Sequence, residues 1–282
     1  MLYFCKMSLF VASLNSGSSG NCYYVGNQNE AIFVDAGLPC REVDKRMKRL
    51  GLNTKKVKAI FVTHEHGDHI KGLEGVASRH HLPIYITPGT LKNSKLRLER
   101  LTTRIFRADE QVMIGGLTIH AFPKPHDAAD PHNFVIESDG VKVGVMTDIG
   151  HVNEDVIRSF NQCHAVFLEA NYDEEMLRKG KYPAFLKERI IGPVGHLSNR
   201  QALELFLNYR APHMSHLFLS HLSKENNSPE IALALFGAQA SGIKIIHASR
   251  YNETGVFCIP GDSAFAGADS VFENSRVQLE LF

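Results

Sequence analysis

The chain has 282 residues, of which 44% are hydrophobic and 22% are charged, a composition typical of a folded globular protein and unlike that of a disordered one. Its 31 basic and 30 acidic side chains exclude a protein that coats nucleic acid through a global excess of positive charge, so any contact with nucleic acid must be local. The five cysteines form no CxxC pair and no apolar run approaches the ~20 residues of a membrane span, so we expect a cytoplasmic protein without a disulfide framework or a membrane segment.

Short strands dominate the first half of the predicted structure. Three β-rich runs within residues 9–34 are separated by Gly, Ser and Asn clusters, which predicts an antiparallel meander. Apolar residues recur at helical spacing over 41–50, which predicts an amphipathic helix. An apolar strand over 58–63 then runs directly into a histidine cluster, and an Asp-Gly pair at 139–140 predicts a hairpin between two later strands.

The second half alternates strands with helices, a pattern typical of a sheet covered by helices. Its predicted helices lie near 198–209 and 229–239, between strands near 165–169, 217–220 and 243–246. After Pro260 the residues become small and polar without any period. We therefore expect one domain over 1–260 and a linker with a tail over 261–282.

The strongest functional signal packs metal-binding side chains into residues 64–69, directly after the apolar strand. His64 and His66 point the same way in an extended segment and can bind one ion, whereas Asp68 and His69 lie beyond the bend at Gly67 and can face a second ion. Imidazole nitrogens and carboxylate oxygens suit zinc and also manganese or iron. Two neighbouring divalent ions can activate water and stabilise both the attacking and the leaving oxygen of a displacement.

Six residues cannot complete two coordination spheres, so further ligands must come from elsewhere in the chain. His126, Asp148 and His221 each follow an apolar strand, at the point where the strand gives way to a loop. Functional side chains are often held on loops by a rigid scaffold. These three residues are therefore the predicted additional ligands.

Together these motifs resemble the five-motif pattern of the metallo-β-lactamase superfamily over about residues 7–260. The resemblance implies an α/β fold, a four-layer αββα sandwich with two divalent ions at the edge of its two sheets. It also implies that Asp35, which closes an apolar strand, supports the site without being a ligand. The implied ligands are His64, His66 and His126 for one ion, Asp68, His69 and His221 for the other, and Asp148 as the bridge between them.

Four segments, 15–21, 126–131, 195–199 and 221–227, resemble more narrowly the YycJ/WalJ branch, which is related to RNase Z and lacks a β-CASP domain. This resemblance implies a phosphodiesterase, a DNA exonuclease of repair or replication whose nucleophile is a hydroxide bridging two Zn or Mn ions. Two alternatives stay open. One is an RNase or a small-molecule phosphodiesterase of the same fold, and the other is a non-catalytic, metal-stabilised protein that binds DNA or the sliding clamp.

Three acidic or histidine side chains are expected to take part in the reaction. Glu169 and His196 resemble the pair that RNase Z places beside the scissile phosphate, so we expect His196 to contact the phosphate or protonate the leaving oxygen while Glu169 holds its ring. Asp68 is expected to act in catalysis as well as to bind metal. The alternative for Glu169 and His196 is a buried polar pair without a chemical role.

Two segments are candidates for contact with the substrate. The turn-rich loop containing Ser18, Ser19 and Asn21 offers backbone N–H groups to a phosphate, although a simple hairpin turn explains it nearly as well. The basic run over 92–107, which includes Lys95, Arg97 and Arg100, has only one acid, Glu99. It is either a phosphate-binding surface or a solvated helix face.

The last five residues, 278–282, resemble the short peptide by which bacterial replication and repair proteins bind the DNA sliding clamp. Leu281 and Phe282 would fill an apolar pocket, while Gln278, Leu279 and the extended backbone fix the register. The alternative is a tail that packs on the domain as a final strand.

Overall fold

Two seven-stranded β-sheets pack face to face at the centre of the protein, and helices cover their outer sides. The structure is a computed structural model and describes residues 8–97, 99–108 and 110–261. The first sheet contains, in spatial order and numbered along the chain, β14 (Phe257–Pro260), β1 (Ser8–Asn15), β2 (Cys22–Gly26), β3 (Ala31–Val34), β4 (Val57–Phe61), β5 (Ile84–Ile86) and β6 (Thr103–Ile105). The second contains β13 (Lys244–His247), β12 (His216–Ser220), β11 (Ala165–Glu169), β10 (Val141–Met146), β9 (His132–Ser138), β8 (Leu117–Pro123) and β7 (Gln111–Ile114).

Nine α-helices lie within the described residues. They are α1 (Cys40–Arg49), α2 (Gly67–Ile70), α3 (Leu73–His80), α4 (Pro88–Asn93), α5 (Glu154–Phe160), α6 (Glu174–Lys179), α7 (Ala184–Ile191), α8 (Asn199–Tyr209) and α9 (Pro229–Gly237). All the named strands belong to the two sheets, so the described residues contain no β-CASP domain.

Three separate hydrophobic cores account for the four layers. The middle core lies between the sheets, where Phe61 packs against Phe134 with ring centroids 5.6 Å apart. A second core joins α1 and α3 to the first sheet through residues such as Val43. The third joins α5, α8 and α9 to the second sheet through residues such as Phe206 and Phe236. The αββα sandwich expected from the sequence is therefore confirmed.

Local signals explain most of the element boundaries. The Asp-Gly pair forms the predicted hairpin turn between β9 and β10, with positive φ angles of 49° at Asp139 and 82° at Gly140. Ser198 caps α8 in a reciprocal capping box with Gln201. The sequence did not predict β6, β7 or α4 to α7, which are three to eight residues long and so too short to show a hydrophobic period.

Sheet topology brings the predicted functional residues to one edge of the sandwich. In the first sheet β3, β4 and β5 run parallel, and in the second β10, β11 and β12 run parallel. The carboxyl ends of parallel strands meet at the same edge of a sheet, where α/β proteins commonly bind their ligands. β14, the last strand along the described part of the chain, pairs antiparallel with β1 at the edge of the first sheet.

Two predictions from the sequence concern a membrane segment and the C-terminal peptide. Among the described residues, no helix is long and apolar enough to cross a membrane. The residues assigned to the clamp-binding peptide, Gln278, Leu279, Leu281 and Phe282, lie outside the described range.

Candidate metal centre

Three histidine rings converge where β4 and β8 end. His64 Nε2 lies 3.1 Å from His66 Nδ1, which in turn lies 3.3 Å from His126 Nε2. In His64 and His126 the other ring nitrogen, Nδ1, already makes a hydrogen bond. His126 Nδ1 donates to the carbonyl of Gly195, and His64 Nδ1 donates to the Thr63 hydroxyl. Burial lowers the pKa of His126 to about 3 and lowers that of His64 well below its usual value. His64 and His126 are therefore neutral and present free lone pairs toward one point.

A second group forms beside the first from Asp68, His69 and His221. The Asp68 Oδ2 atom lies 3.5 Å from His69 Nε2 and 3.4 Å from His221 Nε2. His69 is oriented from behind, because its Nδ1 donates to Asp35 Oδ2 at 2.6 Å. Asp35 also accepts from the backbone N–H and the hydroxyl of Thr63, each at 2.8 Å. Both carboxylate oxygens of Asp35 are thus used in holding other groups.

Asp148 lies between the two groups. Its Oδ2 is 3.2 Å from His69 Nε2, and its Oδ1 is 3.3 Å from His221 Nδ1 and 4.0 Å from His126 Nε2. The side chain is buried, yet Oδ2 accepts no hydrogen bond from any described residue. A buried carboxylate oxygen without a donor is costly unless positive charge is close by, and the ammonium of Lys124 lies 3.9 Å away, beyond hydrogen-bond distance. The position of Asp148 therefore fits a residue that faces two ions.

The chemistry of these side chains fits divalent metal ions. In each group the candidate ligand atoms lie within 4.8 Å of one another, and all of them are imidazole nitrogens or carboxylate oxygens. Such ligands suit zinc, manganese and iron. Burial opposes a charge on His69, but Asp148 and neighbouring carboxylates outweigh it and raise the pKa of this histidine to about 10. The carboxylates around His69 therefore favour positive charge at this position, which either a proton or a metal ion can supply.

Three of these residues adopt a backbone conformation that side chains usually avoid. The φ angles of Asp35, Asp148 and His221 are 61°, 56° and 55°. Such angles in residues other than glycine cost of order 1–3 kcal/mol and cluster at functional sites. Here each one turns a side chain into the site directly after a strand.

Comparison with known proteins agrees with this geometry. The family described as beta-lactamase superfamily domain matches residues 30–221. The chain is 35% identical to "Exodeoxyribonuclease YycJ" of Bacillus anthracis over 229 residues, and the matched region covers 80% of this chain and 87% of that relative. It is 32% identical to "Exodeoxyribonuclease WalJ" of Streptococcus pneumoniae over 78% of this chain and 83% of that protein. The chain belongs to the metallo-β-lactamase superfamily.

Within this superfamily it falls in the YycJ/WalJ branch, and it is a metal-dependent hydrolase. Its fold is similar to that of the metallo-β-lactamase fold protein YhfI from Bacillus subtilis, with a TM-score of 0.67 and 16% sequence identity, over 89% of this chain and 99% of that one. The family match, together with the His/Asp groups, implies divalent metal ions.

Glu169 and His196, which the sequence predicted as a pair, are in direct contact. His196 Nδ1 lies 2.8 Å from Glu169 Oε1, and the same oxygen lies 3.0 Å from His221 Nδ1. The other oxygen, Oε2, accepts from the backbone N–H groups of Ile149 and Leu197 at 2.7 and 3.2 Å. Burial opposes ionisation of Glu169, but His196 and His221 outweigh it and lower its pKa to about 2. Glu169 therefore orients two rings at once, which its position in the sequence did not reveal.

The predicted phosphate loop divides into a buried and an exposed part. Asn21 is fully buried, and its amide Nδ2 lies 3.2 Å from Asp68 Oδ2 and 3.0 Å from His69 Nε2. Ser18 and Ser19 are exposed, and the Ser18 hydroxyl accepts from the guanidinium of Arg250 at 2.7 Å. The structure thus brings Asn21 into the candidate metal centre and leaves both serines at the surface.

The predicted basic run is mostly irregular and is not one continuous helix. It follows β5, one of the parallel strands, and only α4 is helical within it. The side chains of Lys95, Arg97 and Arg100 are exposed. No contact between these three cations and the His/Asp groups is recorded among the described residues.

Lys124 is a buried cation beside the centre that the sequence analysis missed. Its Nζ donates to the carbonyl of Thr147 at 2.8 Å and lies 3.9 Å from Asp148 Oδ2. Burial lowers its pKa, although Asp148 and other carboxylates oppose this effect. The signal was present, because Lys124 and His126 are two residues apart in an extended segment and so point to the same side.

Proposed function

We propose that this protein is a DNA exonuclease that hydrolyses phosphodiester bonds with two divalent ions. The observation that carries the proposal is the position of Asp148, which contacts groups in both His/Asp clusters. The YycJ and WalJ relatives, both exodeoxyribonucleases by name, support DNA as the substrate. The nitrogen and oxygen donors suit Zn or Mn, with Fe as a further ion of the same preference.

In this proposal His64, His66 and His126 hold one ion, Asp68, His69 and His221 hold the other, and Asp148 contacts both. When bound, the ions lower the pKa of water and neutralise the nonbridging oxygens of the phosphodiester.

The protein supplies the proton transfers. His196 Nδ1 is engaged by Glu169, so Nε2 is the nitrogen left to contact the phosphate or to protonate the leaving oxygen. The side chain of His196 is 21% exposed, unlike the buried ligand His64, and a substrate can therefore reach it. Asp68 is equally exposed and is the carboxylate that accepts a proton from the attacking water.

The decisive experiment replaces His196 by Ala. General acid catalysis contributes about 10²- to 10⁴-fold, so turnover of end-labelled DNA should fall by a factor in this range. Metal content should stay at two ions per chain, because none of the seven proposed ligands is removed. His120→Ala on β8, which contacts Glu137 instead of the metal centre, is the matched control. Unchanged turnover in His196→Ala would remove His196 from the mechanism.

The substrate is tested by assaying DNA, RNA and a chromogenic phosphodiester side by side. Preference for DNA supports the exonuclease, whereas preference for RNA or the small diester supports the corresponding alternative. Metal-loaded protein that binds DNA and never cuts it would instead identify a binding protein. Lys95, Arg97 and Arg100 are proposed to contact phosphates, and charge reversal at Arg97 and Arg100 should then weaken DNA binding and reduce its dependence on salt.

Roles in DNA repair and recruitment to the sliding clamp in the cytoplasm are part of the same proposal. The repair role rests on the resemblance to the YycJ/WalJ branch, and the cytoplasmic location rests on the cysteine pattern and the lack of a long apolar run. Recruitment to the clamp rests on the resemblance of Gln278, Leu279, Leu281 and Phe282 to a clamp-binding peptide. Removal of residues 278–282 should abolish clamp pulldown and spare hydrolysis of short DNA. Loss of folding would favour a tail that packs on the domain.

A further inference from the structure

One helix near the metal centre buries none of its side chains. In α7 no residue is buried, and Phe185 and Ile191 are 71% and 58% exposed. Val194, just after the helix, is 45% exposed. An eight-residue helix is too short to be stable by itself and normally depends on packing of an apolar face. A large apolar side chain as exposed as Phe185, on a helix that buries none of its residues, is a candidate for contact with a partner or a ligand.

Two hydrogen bonds and an ion pair connect α7 and the residues just after it to the loop that carries His126. The carbonyl of Val194 accepts from the backbone N–H of Asp127, and the carbonyl of Gly195 accepts from the ring of His126, both at 3.1 Å. Arg189 Nε donates to Asp127 Oδ2 at 2.6 Å. Phe185 precedes Arg189 by four residues and so lies on the same face of the helix, about 6 Å away along its axis. The exposed aromatic ring is therefore held on the side of α7 that faces the loop carrying His126.

The segment also has more basic than acidic residues, although Lys179 pairs with Glu175 and Arg189 pairs with Asp127. Between residues 178 and 196 the only acidic residue is Glu188, against five basic residues, which are Arg178, Lys179, Lys181, Lys187 and Arg189. Arg178 and Lys181 are exposed. Positive side chains next to an exposed aromatic ring are the combination by which proteins bind single-stranded nucleic acid, with phosphates contacting the cations and bases stacking on the ring.

We propose that Arg178, Lys181 and Phe185 form a binding surface, the α7 surface, for an unpaired strand of the nucleic acid that enters the metal centre. Phe185 stacks on a base, and Arg178 and Lys181 contact phosphates. Paired bases in a duplex are already stacked on their neighbours and offer no free face to Phe185, so this α7 surface selects single strands. The inference rests on the proposed function and adds the strand preference to it.

The test measures binding of fluorescein-labelled oligodeoxythymidine by anisotropy, in the His196→Ala background so that the strand is not cut. Stacking on one aromatic ring is worth about 5- to 150-fold in affinity, so Phe185→Ala should raise Kd by a factor in this range. Phe185→Trp should restore binding, whereas Phe185→Leu should not, because leucine keeps the apolar area and lacks an aromatic face. Met113→Ala is the matched control, since Met113 is 73% exposed on β7, and its Kd should not change.

Three outcomes would overturn the inference. They are an unchanged Kd in Phe185→Ala, equal recovery by Leu and Trp, and tighter binding to the duplex with oligodeoxyadenosine than to the single strand. A concentration-dependent dimer that Phe185→Ala dissolves in analytical ultracentrifugation would instead assign the α7 surface to a second copy of the chain. The binding assay needs no catalysis, and failure of the proposed hydrolysis is seen separately with the chromogenic diester in the otherwise wild-type protein.

Discussion

Replacement of Glu169 by Gln tests how the two clusters are held in place. The carboxylate accepts four hydrogen bonds, two at Oε1 from His196 and His221 and two at Oε2 from the backbone N–H groups of Ile149 and Leu197. Glutamine offers one acceptor oxygen and one NH₂ group. The backbone N–H groups cannot change their protonation, whereas the imidazoles can change tautomer. The amide oxygen therefore faces the backbone, and the NH₂ group faces the rings.

This arrangement moves a proton within each ring. The Nδ1 atoms of His196 and His221 become acceptors, and their protons move to Nε2. His221 Nε2 is the atom that lies 3.4 Å from Asp68 Oδ2 in the second cluster, and a protonated nitrogen cannot bind a metal. Loss of such an orienting partner typically costs 10- to 100-fold in metal affinity, or about 1.4–2.7 kcal/mol. The cluster of His64, His66 and His126 makes no recorded contact with Glu169 and should keep its ion.

The assay is calorimetric titration of the metal-free protein, with elemental analysis of the dialysed product. The wild-type protein should retain two ions, whereas Glu169→Gln should retain one at metal concentrations between the two dissociation constants. Glu137→Gln on β9, where the carboxylate contacts His120 and Lys142 and no metal-centre residue among those that the structure describes, is the matched control. Two ions bound to Glu169→Gln with wild-type affinity would refute the tautomer argument.

Three further predictions concern protons, metal removal and the buried lysine. Burial opposes a charge on His69, but Asp148 and other carboxylates outweigh it and raise the pKa of this histidine to about 10. The bound proton therefore stabilises the metal-free fold fully below the ordinary histidine pKa of about 6.5, and this stabilisation is lost as the pH rises through 10. Burial opposes a charge on His221 in the same cluster, but Asp148, Asp68 and Glu169 outweigh it and raise its pKa as well, so a metal ion must displace a proton from both rings. The affinity of the second cluster should therefore rise by at least about tenfold per pH unit between pH 7 and 9, and a flat profile in calorimetry would contradict this prediction. An ion present at 100 times its Kd adds about 2.7 kcal/mol to the free energy of unfolding. Removal of metal by EDTA should therefore lower Tm by about 5–10 °C in scanning calorimetry, and zinc should restore it. An unchanged Tm would count against resident metal. Lys124→Met leaves the buried carbonyl of Thr147 without its donor. It should lower the free energy of unfolding by about 1–3 kcal/mol in urea titration, whereas Lys48→Met at an exposed position is the control. Equal stabilities of the two variants would show that Lys124 has no supporting role.

The sequence by itself determined the features that are encoded locally. His64, His66, Asp68 and His69 lie within six residues after an apolar strand, so spacing alone indicated two neighbouring ions. The turn at Asp139-Gly140 and the helix over 199–209 follow from residues directly at those positions. Periodicity and turn chemistry act over a few residues, which is why such elements can be predicted from one chain.

Only the tertiary structure decided which atoms meet across long distances in the chain. Asp68 and His221 approach within 3.4 Å although 153 residues separate them, and the order of strands in two different sheets determines this contact. Resemblance suggested that Asp148 bridges the clusters, but its distances, the sharing of Glu169 between two rings and the buried cation of Lys124 depend on packing. The exposed face of α7 was also invisible in the sequence, because a short helix without a buried stripe leaves no hydrophobic period to detect.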